Sequence, residues 1–158
     1  MKKKLRNKNI LLGTWLTLYN NNLTEIIAST NFDWLAIDLE HSSLSFKEAE
    51  DMIRIIELYG TFPLVRLTSI SSDTIKKVMD IGAKGLIIPN VNSVEDIIQT
   101  IKYAHYPKKG IRGVGLARAN RHGTNFNKYY NWQKKEVAII AQIENKSALD
   151  TIDEIFSS

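Results

Sequence analysis

Four short stretches of this sequence carry residue types that can move a proton and stabilise a developing negative charge. They are Asp38-Leu39-Glu40-His41, Arg66, Pro89-Asn90 and Gln142-Ile143-Glu144-Asn145. A histidine side chain ordinarily titrates near neutrality, so His41 suits a general base, oriented by a nearby carboxylate. An arginine can hold an oxyanion, and a glutamate such as Glu144 is a hard oxygen ligand for Mg²⁺ or Mn²⁺. Together these groups suit enolate chemistry. Removing a proton next to a carbonyl, or cleaving a carbon–carbon bond there, leaves charge on oxygen that a cation and an arginine stabilise.

Singly, each residue has a plainer reading. His41 alone would be a hydrogen-bonded loop residue, and Arg66 alone a structural ion-pair partner. Asp80, just before Ile81-Gly82, would be a polar residue near a turn. Tyr129, Tyr130 and Trp132 read as packing residues, because no basic-groove signature accompanies them. The functional reading rests on the combination.

The elements that must position these residues alternate strand and helix. Ile10 to Leu18 is an apolar run read as the first strand, followed by a short helix from Leu23 to Ser29. Trp34 to Asp38 is the second strand. Ser45 and Glu48 form a capping box for a helix whose Phe46, Ala49, Met52, Ile53 and Ile56 repeat at helical spacing, and Gly60 ends it. Phe62 to Leu67 is the third strand. Ser72 is expected to cap the next helix, with Ile75, Val78 and Met79 inward, and Gly82 closes it. Gly85 to Pro89 is the fourth strand, and Ser93 caps a helix with Ile97, Ile98 and Ile101 inward. Tyr106 to Trp132 reads as a long irregular stretch rich in Gly, Arg and Asn. Val137 to Ile143 is the fifth strand, and Ser147 to Ile155 begins the next helix. Strands apolar on both faces, each followed by an amphipathic helix, indicate a parallel sheet covered by helices. A doubly wound sheet and a (β/α)₈ barrel both fit, and in both the chemistry collects at the carboxyl ends of the strands. No G-x-G-x-x-G follows the first strand and no P-loop occurs, which weighs against nucleotide folds.

Composition narrows the class. The chain has 158 residues, 44% hydrophobic and 24% charged, which is ordinary for one globular domain. It has no cysteine, which excludes disulfides and thiolate chemistry and fits a cytoplasmic protein. The net charge of +4 is concentrated in MKKKLRNK and in helix lysines. That basic start is read as a solvated tail, with neither a nucleic-acid nor a membrane partner expected. ILLGTWLTLY is interrupted by Gly13, Thr14 and Thr17 and lacks a cleavage site, so it reads as a strand rather than a signal peptide.

The ordered motifs resemble those of the HpcH/HpaI aldolase family. DWLAIDLEH is similar to the family's second-strand motif and PLVRL to its third-strand arginine motif. VMDIGAKGLIIPNVNSVEDI resembles the segment leading into the fourth strand, GIRGVGLARA the loop after the fourth helix, and AQIEN the fifth-strand metal motif. The resemblance implies a partial TIM barrel, about the first five βα units, spanning 1–158 as a single incomplete domain. It implies a class II aldolase that cleaves or forms 4-hydroxy-2-keto acids through a pyruvate enolate. The implied cofactor is Mg²⁺, Mn²⁺ or Co²⁺, the implied substrates are small keto acids and aldehydes, and the family is homo-oligomeric. By position, His41 would be the acid/base residue, Asp80 its partner, and Asp38 a support for the same network. Arg66 would bind the keto-acid oxygens and Glu144 would ligate the metal. Glu40 would have a supporting role at most.

The sequence departs from the family in three places. Leu39 stands where glycine is common, and Asn90 where methionine is common. The family's second metal ligand, an aspartate after a sixth strand, has no counterpart before Ser158. The expectation is a fragment or truncated frame with little aldolase turnover of its own. The alternatives are a citrate-synthase-like or citrate-lyase-type condensing enzyme, and a non-catalytic remnant.

Overall fold

The computed structural model describes residues 1–7 and 10–157. Lys8 and Asn9, within and beside the basic N-terminal run, and Ser158 lie outside the described residues. The strands are β1 (Gly13–Leu16), β2 (Trp34–Asp38), β3 (Phe62–Arg66), β4 (Gly85–Ile88) and β5 (Ala138–Ala141). All pair in parallel, in the order β1-β2-β3-β4-β5. A doubly wound sheet reverses its strand order partway, whereas a barrel adds each strand beside the previous one. The sheet is therefore an arc of a (β/α)₈ barrel, and this settles the choice that the sequence pattern leaves open.

Helices α2 (Asn21–Ala28), α3 (Phe46–Leu58), α4 (Ser72–Asp80) and α5 (Val94–Ala104) alternate with the first strands. Their starts follow local chemistry. Ser45 and Glu48, and likewise Ser93 and Asp96, form reciprocal capping boxes. The cap of α4 is Ser71, which accepts the Thr74 N–H. Ser72, expected there, is the first helical residue. Gly60 and Gly82 leave α3 and α4 with φ of +74° and +108°, a region that disfavours a Cβ.

The two-residue period of the strands sorts the core into two layers. Leu35, Ile37, Val65, Leu86 and Ile88 face the helices and are fully buried with Met52, Ile53, Ile56, Ile75 and Met79. Ala36, Leu64, Ile87 and Ala138 point to the concave side, against Met1, Trp34, Phe62 and Ile140. On β2 and β3 the same parity carries Asp38 and Arg66 onto the concave face at the carboxyl ends, and the register pairs them directly.

Three regions differ from the sequence expectation. The first strand is shorter than Ile10 to Leu18, and Ile10 is almost fully exposed. The N-terminal run contains a short helix, α1 (Lys2–Arg6), and Met1 packs on the concave face, so this segment is not simply a solvated tail. The stretch from Tyr106 to Trp132 is not irregular throughout. It holds a 3₁₀ turn (Arg118–Asn120) and most of α6 (Phe126–Glu136). α6 evades a pattern search because it is polar around much of its surface and has no side-chain cap. Buried Arg112 pins the stretch, donating to Ala104 O at 2.9 Å and Tyr129 Oη at 3.0 Å, with its guanidinium 4.0 Å from the centre of the Tyr106 ring. Tyr106, Phe126 and Tyr130 stack on one another, and Tyr129 stacks on Trp132. After β5, two short helices, α7 (Lys146–Leu149) and α8 (Ile152–Ser157), replace the single expected helix.

Candidate active site

Asp38 is the organising residue at the carboxyl ends of the strands. It is 1% exposed. Arg66 Nε and Nη2 donate to its two oxygens at 2.9 and 2.6 Å, a fork-to-fork pair. The backbone N–H groups of Glu40 and His41 donate to Oδ1 at 2.9 and 3.2 Å. Burial opposes the charge on Asp38, but the Arg66 pair and these N–H groups outweigh it and hold the carboxyl below its ordinary range. The same bonds fold the Asp38–His41 turn back over the end of β2, and Ser42 Oγ closes it on Asp38 O.

Arg66 is held on three sides. Asp38 fixes one edge, Glu40 Oε2 lies 3.3 Å from Nη1, and the guanidinium sits 4.7 Å from the centre of the Trp15 ring. The bond to Asp38 raises its pKa against burial, with added pull from the charges of Asp38, Glu40 and Glu144. Trp15 escapes notice in the sequence, where it is one aromatic in an apolar run. Parity and the pairing of Trp15 with Ala36 place it on the concave face.

His41 is exposed and its Nε2 lies 3.9 Å from Glu40 Oε2. The carboxylate beside the imidazole is thus Glu40, which the sequence reading gives only a supporting role. Asp80 is not there. It is the last residue of α4, which runs back along the strands, so Asp80 lies at the amino-terminal end of the sheet, opposite the rim. Its Oδ1 is 3.9 Å from buried Arg112 Nε. Burial raises its pKa, opposed by the charges of Arg112 and Lys76. The expectation that His41, Arg66, Asp80 and Glu144 share one rim therefore holds for three of the four, and no His41–Asp80 pair forms within the chain.

Glu144 follows β5 and is exposed. Asn90 N–H, at the end of β4, donates to Glu144 Oε2 at 2.8 Å. That bond, with one from the Gln142 side chain, lowers the carboxyl's pKa against a small burial effect. The charges of Arg66 and His41 add to it. Glu144 thus shares an electrostatic neighbourhood with the Asp38–Arg66 pair. As a metal ligand it offers a charged, accessible oxygen. Among the described residues, however, no group of three or more His, Cys, Asp or Glu could hold a metal ion. The residues present supply one suitable ligand and do not complete a metal site.

The other end of the sheet is also structured. A cleft of about 770 Å³ is lined by Arg54, Glu57, Lys84, Arg118, Arg121 and Lys128 among others. Glu57 pairs with Arg118 at 2.5 Å and with Lys84 at 3.1 Å. Among the described residues, no helix is long and apolar enough to cross a membrane.

The family model for HpcH/HpaI aldolase/citrate lyase matches residues 11–158. A 2-keto-3-deoxy-L-rhamnonate aldolase from Escherichia coli strain K12 is 36% identical over 156 residues, covering 98% of this chain and 58% of the relative. The solved HpcH/HpaI aldolase from Desulfitobacterium hafniense DCB-2 superposes with a TM-score of 0.88 at 31% identity, covering 99% of this chain and 61% of that one. The solved citrate synthase SbnG superposes with a TM-score of 0.85 at 27% identity, covering 98% and 60%. The chain spans under two thirds of the length of these relatives. The family match over nearly all of its residues, together with the barrel arc, establishes that this chain belongs to the HpcH/HpaI aldolase/citrate lyase family.

Proposed function

We propose that the rim built from Asp38, Glu40, His41, Arg66 and Glu144 binds a 2-keto acid and handles its enolate, as part of an aldolase-type carbon–carbon lyase. One observation carries this reading. The buried fork between Asp38 and Arg66 holds a guanidinium rigidly at the strand ends, with an exposed imidazole and an exposed carboxylate in the same neighbourhood. Such preorganisation makes a cation effective against developing charge.

In the cleavage direction, the base takes the proton of the substrate's 4-hydroxyl group. The C3–C4 bond then breaks, an aldehyde leaves, and the electron pair passes to the C2 oxygen as an enolate. Protonation at C3 gives pyruvate. His41 is the group placed to carry the proton, with Glu40 beside it, and Arg66 stabilises the enolate oxygen. Asp38 acts through Arg66, fixing its plane. Glu144 would contribute one ligand to a divalent cation that polarises the keto acid, and the remaining ligands would have to come from outside the described residues. Asp80 has no role at this rim within one chain.

The similarity to the citrate synthase structure supports a second reading, in which the same enolate attacks an oxo acid instead of an aldehyde. Pyruvate methyl-proton exchange in D₂O, followed by proton NMR with Mn²⁺ or Mg²⁺, tests the step common to both. The purified chain is expected to exchange slowly and His41→Ala not at all. Exchange at the same rate in His41→Ala would overturn the assignment. The acceptor, aldehyde or oxo acid, then separates the two readings. Cleavage of a 4-hydroxy-2-keto acid by the isolated chain is expected to be weak, because one ligand binds a cation poorly. Robust metal-dependent turnover would contradict that.

A further inference from the structure

The roles above leave the side chain of Asn90 unused. It is a non-glycine residue at φ +52°, a conformation that asparagine tolerates better than other side chains. Its backbone N–H is committed to Glu144. Two further asparagines meet it. Asn92 Nδ2 donates to Asn90 O at 2.8 Å. Asn145 Nδ2 donates to Asn92 Oδ1 at 3.0 Å and lies 3.5 Å from Asn90 Oδ1. Asn145 also stands at the N-cap of α7, where asparagine normally bonds the helix N–H groups, yet its side chain makes no cap bond. Its amide is turned to the rim instead.

Counting donors and acceptors shows what is left over. Asn90 Nδ2 has no donor bond and Asn145 Oδ1 no acceptor bond among the described residues, and all three side chains are exposed. A free amide donor and a free amide acceptor, on adjoining residues beside Glu144, match a hydroxyl group, which both accepts and donates. An aliphatic side chain in place of Asn90 would offer neither. Resting on the keto-acid reading of this rim, we infer that Asn90 and Asn145 form a hydroxyl-recognising subsite that selects substrates carrying a hydroxyl beyond C4. Asn92 holds the pair in place.

The test uses the full 158-residue chain, ¹⁵N-labelled, with Mn²⁺ replaced by diamagnetic Mg²⁺. The ligands are pyruvate, 4,5-dihydroxy-2-ketopentanoate and its 5-deoxy counterpart. The dihydroxy acid should shift the side-chain amide signals of Asn90 and Asn145, and should bind about fivefold more tightly than the 5-deoxy acid, the worth of one exposed neutral hydrogen bond. Asn90→Gly keeps the left-handed backbone and the N–H to Glu144 but removes the amide, so it should bring the ratio close to one. If both ligands shift the Arg66 Nε signal equally and leave the asparagine amides unmoved, the subsite is wrong and the keto-acid reading stands. If no ligand moves Arg66 Nε, the keto-acid reading and the subsite fall together.

Discussion

Asp38 and Arg66 show how much of this site depends on one pair of side chains. Both lie at the end of a strand on the concave face, in register, and the pair is largely sealed from solvent. Arg66→Met would strand a buried carboxylate, and Asp38→Ala would leave the guanidinium over Trp15 with Glu40 as its remaining carboxylate partner. Each is expected to cost about 3–5 kcal/mol in chemical denaturation, as for a buried pair that loses one partner. The lowered pKa of Asp38 fixes the direction of its pH effect. Its stabilisation is fully present above the unfolded carboxyl pKa and is lost as pH falls through the lower folded value. Asp38→Asn should therefore lose stability at neutral pH and show a shallower acid transition than the parent. An unchanged transition would argue that the pair contributes nothing.

The residue types at the rim were legible in the sequence because strand ends can be read from apolar runs. Glu40 and Trp15 were not, since their roles depend on a turn folded by Asp38 and on side-chain parity across β1 and β2. Asp80 was misplaced for a different reason. The family motif names an aspartate but not the end of the barrel where it lies, and helix direction sends it to the far end.

At the scale of elements, the segment after α5 is held by polar contacts rather than by an apolar stripe. Arg112 is the pin, with its side chain wholly buried against Tyr106, Tyr129, Ala104 O and Asp80. Arg112→Met would leave Asp80 and the Tyr129 hydroxyl without their cationic partner. It is expected to cost about 3 kcal/mol and to raise amide exchange across 106–125. Undisturbed exchange there would show that the pin is not needed. His105, at the end of α5, is buried with Nδ1 2.9 Å from Ile101 O. Burial lowers its pKa to about 4. The unfolded chain takes up that proton near the ordinary value of about 6.5, so stability should fall as pH drops from there towards the folded value. A denaturation series in which His105→Gln removes this slope would support the assignment. Helices α3, α4 and α5 were legible because each carries a serine cap and an inward apolar stripe. α6 was not, because its buried contacts are Tyr129 and Gln133 within a polar sequence.

At the scale of the whole molecule, the arc leaves two strand edges open among the described residues, and α1 covers its concave face only in part: Leu64 and Ile87 are buried there, while Trp15 and Leu5 stay exposed. An apolar hollow of about 500 Å³ is lined by Trp15, Trp34, Leu64, Ile87, Ala138 and Ile140, among others. β1 and β5 each have one neighbour in the sheet. Exposed apolar surface beside unpaired edges favours association. The purified 158-residue chain is expected to bind a hydrophobic dye and to elute above its 18.0 kDa monomer mass. A dye-silent monomer would show that the face is covered from within the chain. Strand order, which identifies the barrel, was not legible from periodicity alone, because each βα unit looks alike whichever side of its predecessor it joins.

In the proposed function, the guanidinium of Arg66, fixed by Asp38, is the anchor for a 2-keto acid. Calorimetric titration of oxalate, a planar mimic of the pyruvate enolate, into the metal-free chain checks this, comparing the parent with Arg66→Met. Loss of a charged hydrogen bond of about 1.5–3 kcal/mol predicts weakening by roughly 10- to 100-fold in a variant that still folds by circular dichroism. Equal affinity in the two folded proteins would rule out Arg66 as that anchor.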